Sequence, residues 1–184
     1  MNIEILKTLG KIKKFQKGEF ICTENEKGNT AYLLLQGTID ITLGSFTNSV
    51  KRIAILTPGS IFGEMSLLEN KPRNASAVAK EDNTIVLEID KLNFLTILNT
   101  DKEIAWNLLC TLLTRAEKMM QSNNLKEFAH IAGYRKNKFY LQIKALSQEQ
   151  FENIIEIDGE HAIKLLKFLS NALAEMNDEL LKSQ

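Results

Sequence analysis

The chain has 184 residues, which is enough for one domain and an appendage. Its formal net charge at pH 7 is zero, so the composition predicts no general attraction to nucleic acid or to a membrane surface. No apolar run is long enough to span a membrane, and the N-terminus lacks the apolar core of a signal peptide. These features predict a soluble, cytoplasmic protein.

The cysteines and histidines form no recognisable catalytic or metal-binding set. Cys22 and Cys110 lie far apart, as expected of thiols in a reducing compartment rather than of a disulfide framework. His130 and His161 have no metal-ligand spacing with them, and no nucleophile–base pair emerges. We therefore expect neither a metal site nor an enzymatic activity.

Local patterns predict two β-strands and a turn in the first half of the chain. Residues 39–43 alternate apolar and polar side chains, with Asp40 and Thr42 facing outward, which is typical of a half-buried strand. Residues 58–59 are Pro-Gly, a turn signal, and residues 84–90 predict a further strand.

Residues 62–76 place a glycine-led turn, one carboxylate and one arginine close together. The backbone amides at Gly63, Glu64 and Met65 are expected to open a short helix, whose N-terminus attracts anions. Glu64 can accept hydrogen bonds from a sugar hydroxyl, and Arg73 offers a rigid fork of donors to phosphate oxygens. This combination indicates a small ligand with hydroxyls and a phosphate. An ordinary surface ion pair between Glu64 and Arg73 is the structural alternative.

This segment resembles the phosphate-binding cassette of the cyclic nucleotide-binding domain family, and the resemblance extends over residues 10–122. It includes a glycine-led entry into a strand at residues 17–21 and an apolar strand ending in a glycine turn at residues 32–37. The resemblance implies an α+β fold: an antiparallel, jelly-roll-like β-roll with flanking helices and a C-terminal helical extension. Asn25 stands where many relatives have a glycine in a tight turn, and asparagine tolerates that left-handed backbone.

The resemblance also assigns roles to the cassette. It implies that Gly63 and Glu64 hold the ribose and that Arg73 neutralises the cyclic phosphate. The residues expected to contact these two groups are Phe62, Gly63, Glu64, Met65, Ser66, Arg73, Asn74 and Ala75. The expected regulatory ligand is cAMP, with cGMP as the alternative, and no cofactor is expected.

Contacts to the base are predicted less directly. Asn74 matches neither the alanine that tends to accompany cAMP in the family nor the threonine that tends to accompany cGMP. Arg115 and Met119 lie in the last turns of the helix that is expected to close over the ligand, so they are expected to contact the purine. A solvated Arg115 on the helix surface is the alternative.

The chain is predicted to be helical after Asp90. A seam at spacings of four and three predicts an interhelical packing surface, formed by Ala105, Leu109, Leu112, Ala116 and Met119. Residues 151–176 match residues 94–119 at an offset of 57, including a Phe, an Asp and a Glu, which favours a repeated unit; the alternative is that any two amphipathic helices share leucines. A second seam contains Ala162, Leu166, Leu169, Leu173, Met176 and Leu180. Asp101 and Asp158 stand at matching positions, where a helix N-cap is expected.

Two apolar seams in one small chain predict self-association, with a homodimer as the default assembly and an unidentified protein as a further partner. The alternative is that the two seams pair within one chain. We expect a ligand-binding domain at residues 1–122 and a helical extension at residues 123–184, which carries the association.

Residues 124–146 contain five basic residues against one acidic residue, and their spacing approaches that of a helix-turn-helix. A long amphipathic helix follows, where a winged DNA-binding domain would continue into a hairpin, so DNA binding is not the favoured interpretation. We expect a cyclic nucleotide sensor that acts as a regulatory module, its helix from Glu103 onward closing over the ligand. A cyclic-nucleotide-responsive transcription factor is the alternative.

Overall fold

The computed structural model of the chain describes residues 8–45, 47, 49–122 and 142–182. It contains two compact units, Met1–Leu95 and Thr96–Gln184. The division falls inside a helix, and the domain boundary expected after residue 122 stays a prediction.

The first unit consists mainly of β-strands. They are β1 (Lys11–Phe15), β2 (Phe20–Cys22), β3 (Thr30–Gln36), β4 (Ile39–Leu43), β5 (Lys51–Leu56), β6 (Ile61–Phe62), β7 (Ser76–Ala79) and β8 (Thr84–Asp90). The short helix α1 (Glu64–Glu69) connects β6 to β7, and α2 (Lys91–Thr100) follows β8 directly.

The strands form two four-stranded antiparallel sheets, with the orders β1-β8-β3-β6 and β2-β7-β4-β5. Side chains from both sheets share one apolar core, which includes Leu34, Ile39, Phe62 and Val86. Because β3 pairs with both β6 and β8, it places the start of the cassette beside the centre of the first sheet. The α+β class with antiparallel sheets and flanking helices is confirmed.

The turns confirm the expected backbone conformations. Asn25, Gly37 and Gly59 have φ values of 67°, 88° and 91°, in the left-handed region. Strand β1 carries no strong apolar signal because four of its five residues are exposed, as is typical of an edge strand protected by lysines. The sequence therefore missed this strand.

The alternation expected in β4 is only partly correct. Ile39 and Leu43 are buried and Asp40 is partly exposed, as predicted, but Thr42 is buried rather than outward-facing. Its hydroxyl shares a 2.7 Å hydrogen bond with the Ser45 hydroxyl. A satisfied hydroxyl can be buried at little cost, which explains this departure.

The second unit is helical and contains α3 (Lys102–Ser122) and α4 (Gln148–Lys182). Asp158 interrupts α4 with an extended backbone, φ −159° and ψ 93°. Asp101 Oδ1 accepts a 3.0 Å bond from the amide of Ile104, and Asp158 Oδ1 accepts a 2.9 Å bond from the amide of Glu160. Both aspartates therefore cap the helix that follows, as predicted. Across the described residues, no helix is long and apolar enough to cross a membrane.

Both apolar seams are buried within the single chain. The members with described side chains are at most 2% exposed: Ala105, Leu109, Leu112, Ala116, Ala162, Leu166, Leu169 and Leu173. The side chains of Met119, Met176 and Leu180 lie outside the described residues. Helix α3 packs against α4, which is the intrachain alternative. The seams therefore no longer require a second chain, and the homodimer stays a prediction without that support.

Candidate ligand-binding site

The cassette begins with a glycine turn into α1. Gly63 adopts the left-handed backbone, φ 72° and ψ −1°, and caps the N-terminus of Glu64–Glu69. The helix ends at Asn70, which is also left-handed, with φ 57°. A six-residue helix between two left-handed residues brings Pro72 and Arg73 back toward the Gly63 turn.

The side chain of Arg73 lies under this turn and is only 4% exposed. Its Nη1 donates to the carbonyl oxygens of Gly63 at 2.7 Å and Thr30 at 2.8 Å, and to the Ser66 hydroxyl at 2.8 Å. Its Nη2 donates to the Thr30 hydroxyl at 3.0 Å. The guanidinium is therefore fixed in position by β3, the Gly63 turn and α1 together.

Among the described residues, the guanidinium has N–H groups without an acceptor. Nη1 has two N–H groups and three acceptors, so it is fully engaged, whereas Nη2 has two N–H groups and one acceptor within the described part of the chain. The Nε atom is buried and has no hydrogen-bond partner within the described part of the chain. The Glu26 Oε1 lies 3.9 Å from Nε, beyond hydrogen-bonding distance. Nε and Nη2 form one edge of the guanidinium, and that edge matches two oxygens of one phosphate.

An aromatic ring covers one side of the arginine. Arg73 Cζ lies 5.4 Å from the centroid of Tyr32, within the range of a cation–π contact. Tyr32 stacks on Phe62 with centroids 5.1 Å apart, and its hydroxyl accepts a 3.1 Å bond from Thr30. Burial is the main cause that raises the pKa of Tyr32, so the phenol is neutral near pH 7.

Sequence reasoning missed a second segment of the site, residues 25–30. The amide of Arg73 donates to the Glu26 carbonyl and the amide of Asn25 donates to the Arg73 carbonyl, both at 2.8 Å. Gly28 approaches the arginine so closely that a Cβ there would lie 2.6 Å from Nε and 2.3 Å from the Ser66 hydroxyl. The turn predicted at Asn25 was the available signal for this segment, but no local pattern links it to Arg73.

The other predicted site residues differ in how deeply they are buried. Glu64 is 0% exposed, Ser66 is 2% exposed and Phe62 is 3% exposed. Met65, Asn74 and Ala75 are half-buried, and the Asn74 Nδ2 has no hydrogen-bond partner among residues for which side chains are described. Since Glu64 and Arg73 are both buried, a surface ion pair does not describe this site.

The predicted purine contacts, Arg115 and Met119, are not tested by the described residues. Arg115 is half-buried on α3, in the second unit, and the side chain of Met119 lies outside the described residues. Most of the basic segment 124–146 also lies outside them, since only residues 142–146 are described. The purine contacts and the DNA-binding alternative both stay predictions.

The chain is similar to several known proteins. Residues 12–101 match the family model described as "Cyclic nucleotide-binding domain". The Cyclic AMP receptor protein of Thermus thermophilus is 30% identical over 134 residues, which cover 73% of this chain and 60% of that protein. The cGMP-dependent protein kinase 2 of Homo sapiens is 29% identical over 94 residues, which cover 50% of this chain and 12% of that protein. A transcriptional regulator of known structure from Thermotoga maritima is 28% identical; the match covers 56% of this chain and 81% of that one, with a TM-score of 0.49.

The fold, the cassette and the family match together define a ligand-binding regulatory domain. Residues 12–101 belong to the cyclic nucleotide-binding domain family, which confirms the resemblance. The chain spans 60% of the length of the Thermus relative and 12% of that of the human kinase, so the match concerns this domain.

Proposed function

We propose that this chain is a cyclic nucleotide sensor whose regulatory ligand is cAMP and whose Arg73 binds the cyclic phosphate. The observation that carries the proposal is the buried guanidinium, which retains the Nε donor without a hydrogen-bond partner in the described residues. A buried, unpaired charged donor is costly, and an anionic acceptor removes that cost. A phosphate oxygen is an acceptor of this kind.

The arrangement around Arg73 supports a phosphate rather than a neutral acceptor. The Glu26 carboxylate lies 3.9 Å from Nε and its side chain is 45% exposed, so solvent weakens this ion pair. A phosphate at the Nε–Nη2 edge would supply both the missing hydrogen bonds and the missing charge. Thr30, Gly63 and Ser66 meanwhile hold the guanidinium at a fixed orientation.

We assign the ribose contact to Glu64, at the start of α1. Its carboxylate is fully buried in this structure. Contact of this carboxylate with a ribose hydroxyl therefore requires a local shift of α1. The left-handed residues Gly63 and Asn70 flank this helix, and we propose that the segment between them moves. Such a shift fits a ligand that selects one of two conformations.

The preference for cAMP over cGMP is the finer part of the proposal. It is supported by the 30% identity to a Cyclic AMP receptor protein, while a cGMP-dependent kinase is 29% identical over a shorter stretch. The Nδ2 of Asn74, next to the arginine in sequence, is buried without a hydrogen-bond partner among the described residues, so a ligand acceptor that reaches it would satisfy this donor. In this proposal Arg115 and Met119 contact the purine when the helix from Glu103 onward closes.

We propose that the sensor passes its signal to a protein partner and that the domain itself carries no catalytic site. The alternative is duplex DNA bound through residues 124–146, and the absence of any binding to duplex DNA at low salt would remove it. A homodimer is a further partner that needs a surface other than the two apolar seams.

The test is a pair of calorimetric titrations of the whole chain, one with cAMP and one with cGMP under the same conditions. The proposal requires saturable binding of both or of cAMP alone, with the lower Kd for cAMP. A lower Kd for cGMP overturns the choice of base, and no binding of either nucleotide overturns the proposed function.

A further inference from the structure

The sequence repeat has a structural counterpart. Residues 94–119 run from α2 through Asp101 into α3, and residues 151–176 run through the interruption at Asp158 within α4. Each aspartate breaks one helix and caps the next with its side-chain oxygen. The two segments therefore share a helix–aspartate–helix motif as well as a sequence pattern.

The two motifs contact each other at their breaks. Asn99 lies against Gly159, where a Cβ would be 2.6 Å from the Asn99 Oδ1. In a second contact, Lys102, which follows Asp101, forms an ion pair with Glu156, which precedes Asp158. At the offset of 57 residues, Gly159 is the counterpart of position 102, and Glu156 is the counterpart of position 99.

The two contacts are therefore reciprocal. Asn99 of the first copy meets Gly159, the counterpart of position 102, and Lys102 of the first copy meets Glu156, the counterpart of position 99. In a symmetric dimer a two-fold axis produces this reciprocity, because the same patch is used on both subunits. Here both patches belong to one chain, and the contacts centre on the two capping aspartates.

We propose that residues 148–182 are a diverged second copy of the α2–α3 motif and occupy the face of α3 that a second chain would otherwise cover. The helical unit is then an internal pseudo-dimer, and the chain is a monomer at this surface. This inference does not depend on the identity of the ligand. It replaces the homodimer that the two seams predicted.

Further contacts along α3 support an intrachain partner. The ring centroids of Trp106 and Phe151 lie 5.8 Å apart, and Lys144 Nζ lies 2.6 Å from Glu117 Oε1. These two contacts and the Lys102–Glu156 pair join residues 144–156 to residues 102–117. The segment before Asp158 therefore lies along most of α3. The apolar seam of α3 is at most 2% exposed over its described side chains, so no open strip remains on it for another copy.

The contact between Asn99 and Gly159 provides a direct test. A Cβ on Gly159 would lie 4.0 Å from the Asn99 Cβ, which is within the range of a disulfide. In the full-length Asn99→Cys/Gly159→Cys variant, we expect mild oxidation to form a disulfide within one chain. On a non-reducing denaturing gel this product runs at the mass of one chain, 20.8 kDa.

The matched control is Asn99→Cys/Lys164→Cys, which moves the second thiol more than one helical turn along α4 and is expected to form no intrachain bond. Circular dichroism under reducing conditions establishes that each variant is folded. Native Cys22 is buried and poorly reactive, and both variants carry Cys110→Ala because the native Cys110 thiol is only half-buried. A disulfide-linked dimer, or a folded variant that forms no disulfide, would each overturn the proposal.

Discussion

Arg73 and Gly63 are linked twice. The Nη1 of Arg73 donates a 2.7 Å hydrogen bond to the Gly63 carbonyl, and a Cβ on Gly63 would lie 2.7 Å from that same nitrogen. The glycine thus supplies the left-handed turn that starts α1 and the space that lets the guanidinium reach the carbonyl. A single residue without a side chain couples the shape of the cassette to the position of its cation.

Replacing Arg73 should weaken nucleotide binding without unfolding the two sheets. A charge-assisted hydrogen bond contributes about 1.5–3 kcal/mol, so Arg73→Ala should raise the Kd roughly ten- to a hundred-fold. Arg73→Lys should restore only part of the affinity because it lacks the fork of donors. Calorimetric titration measures the Kd of each variant.

Arg52→Ala is the matched control for this substitution. Arg52 is 54% exposed and pairs with Asp40 at 3.6 Å on the surface of the second sheet, so its loss should leave the Kd unchanged. Equal affinity of the wild-type protein and a folded Arg73→Ala variant would remove Arg73 from the site.

Gly28→Ala should also weaken binding, although this residue was not predicted to belong to the site. The new Cβ would lie 2.6 Å from Arg73 Nε and 2.3 Å from the Ser66 hydroxyl, so one of these groups must move. The backbone pairing between residues 25–27 and 72–73 opposes a retreat of either segment. We expect the guanidinium to be displaced and the Kd to rise on the order of ten-fold, which is about 1.4 kcal/mol.

Gly159→Ala makes the same chemical change in the helical unit, where the Cβ meets the side chain of Asn99, and should leave the Kd unaltered. Titrations of both alanine variants with the same nucleotide give the comparison. If a folded Gly28→Ala variant binds as tightly as the wild type, the close approach of Gly28 has no part in orienting the arginine.

The part of the site that is local in sequence could be predicted, and the part that is distant could not. Gly63, Glu64 and Arg73 stand within one short segment, where residue types and spacing indicate their chemistry directly. Thr30 lies 43 residues before Arg73, and one of its two bonds to the guanidinium uses a backbone carbonyl, which every residue type has. Residue identity therefore carries little information about that contact.

The helical half shows the same limit. The N-caps at Asp101 and Asp158 follow from local sequence, since aspartate accepts bonds from amides a few residues ahead. Whether the two apolar seams face each other or a second chain is a question of tertiary packing, because an amphipathic pattern specifies a buried face but not what covers it. The pairing of Lys102 with Glu156 answers that question only once the chain is folded.

Asp101→Ala should destabilise the helical unit by about 1 kcal/mol, the usual contribution of an N-cap side chain. The Oδ1 of Asp101 accepts the 3.0 Å bond from the Ile104 amide, and the alanine variant leaves that donor without its cap. Asp101→Asn keeps a side-chain oxygen and should retain most of the stability. Urea unfolding of the three proteins measures the difference, and equal losses in both variants would show that the cap is not the source of the effect.

The stability of the β-sheet unit should fall at high pH because of Cys22. Burial is the main cause that raises the pKa of this thiol from 9.0 to about 11. The folded protein therefore holds the proton after the unfolded chain has released it. The stabilisation is fully present below pH 9.0 and is lost as the pH rises toward about 11.

A shift of this size corresponds to about 2–3 kcal/mol in the free energy of unfolding, at about 1.4 kcal/mol for each pKa unit. Cys22→Ala lacks the thiol and should not lose this amount, so the stability advantage of the wild type over Cys22→Ala should shrink by that much between about pH 8 and pH 11. Urea unfolding of both proteins at several pH values gives the two curves. Cys110→Ala, which removes the half-buried thiol of α3, tests whether the change is specific to Cys22. Parallel curves for the wild type and Cys22→Ala would contradict the prediction, because they would show that the buried thiol ionises as readily in the folded protein as in the unfolded chain.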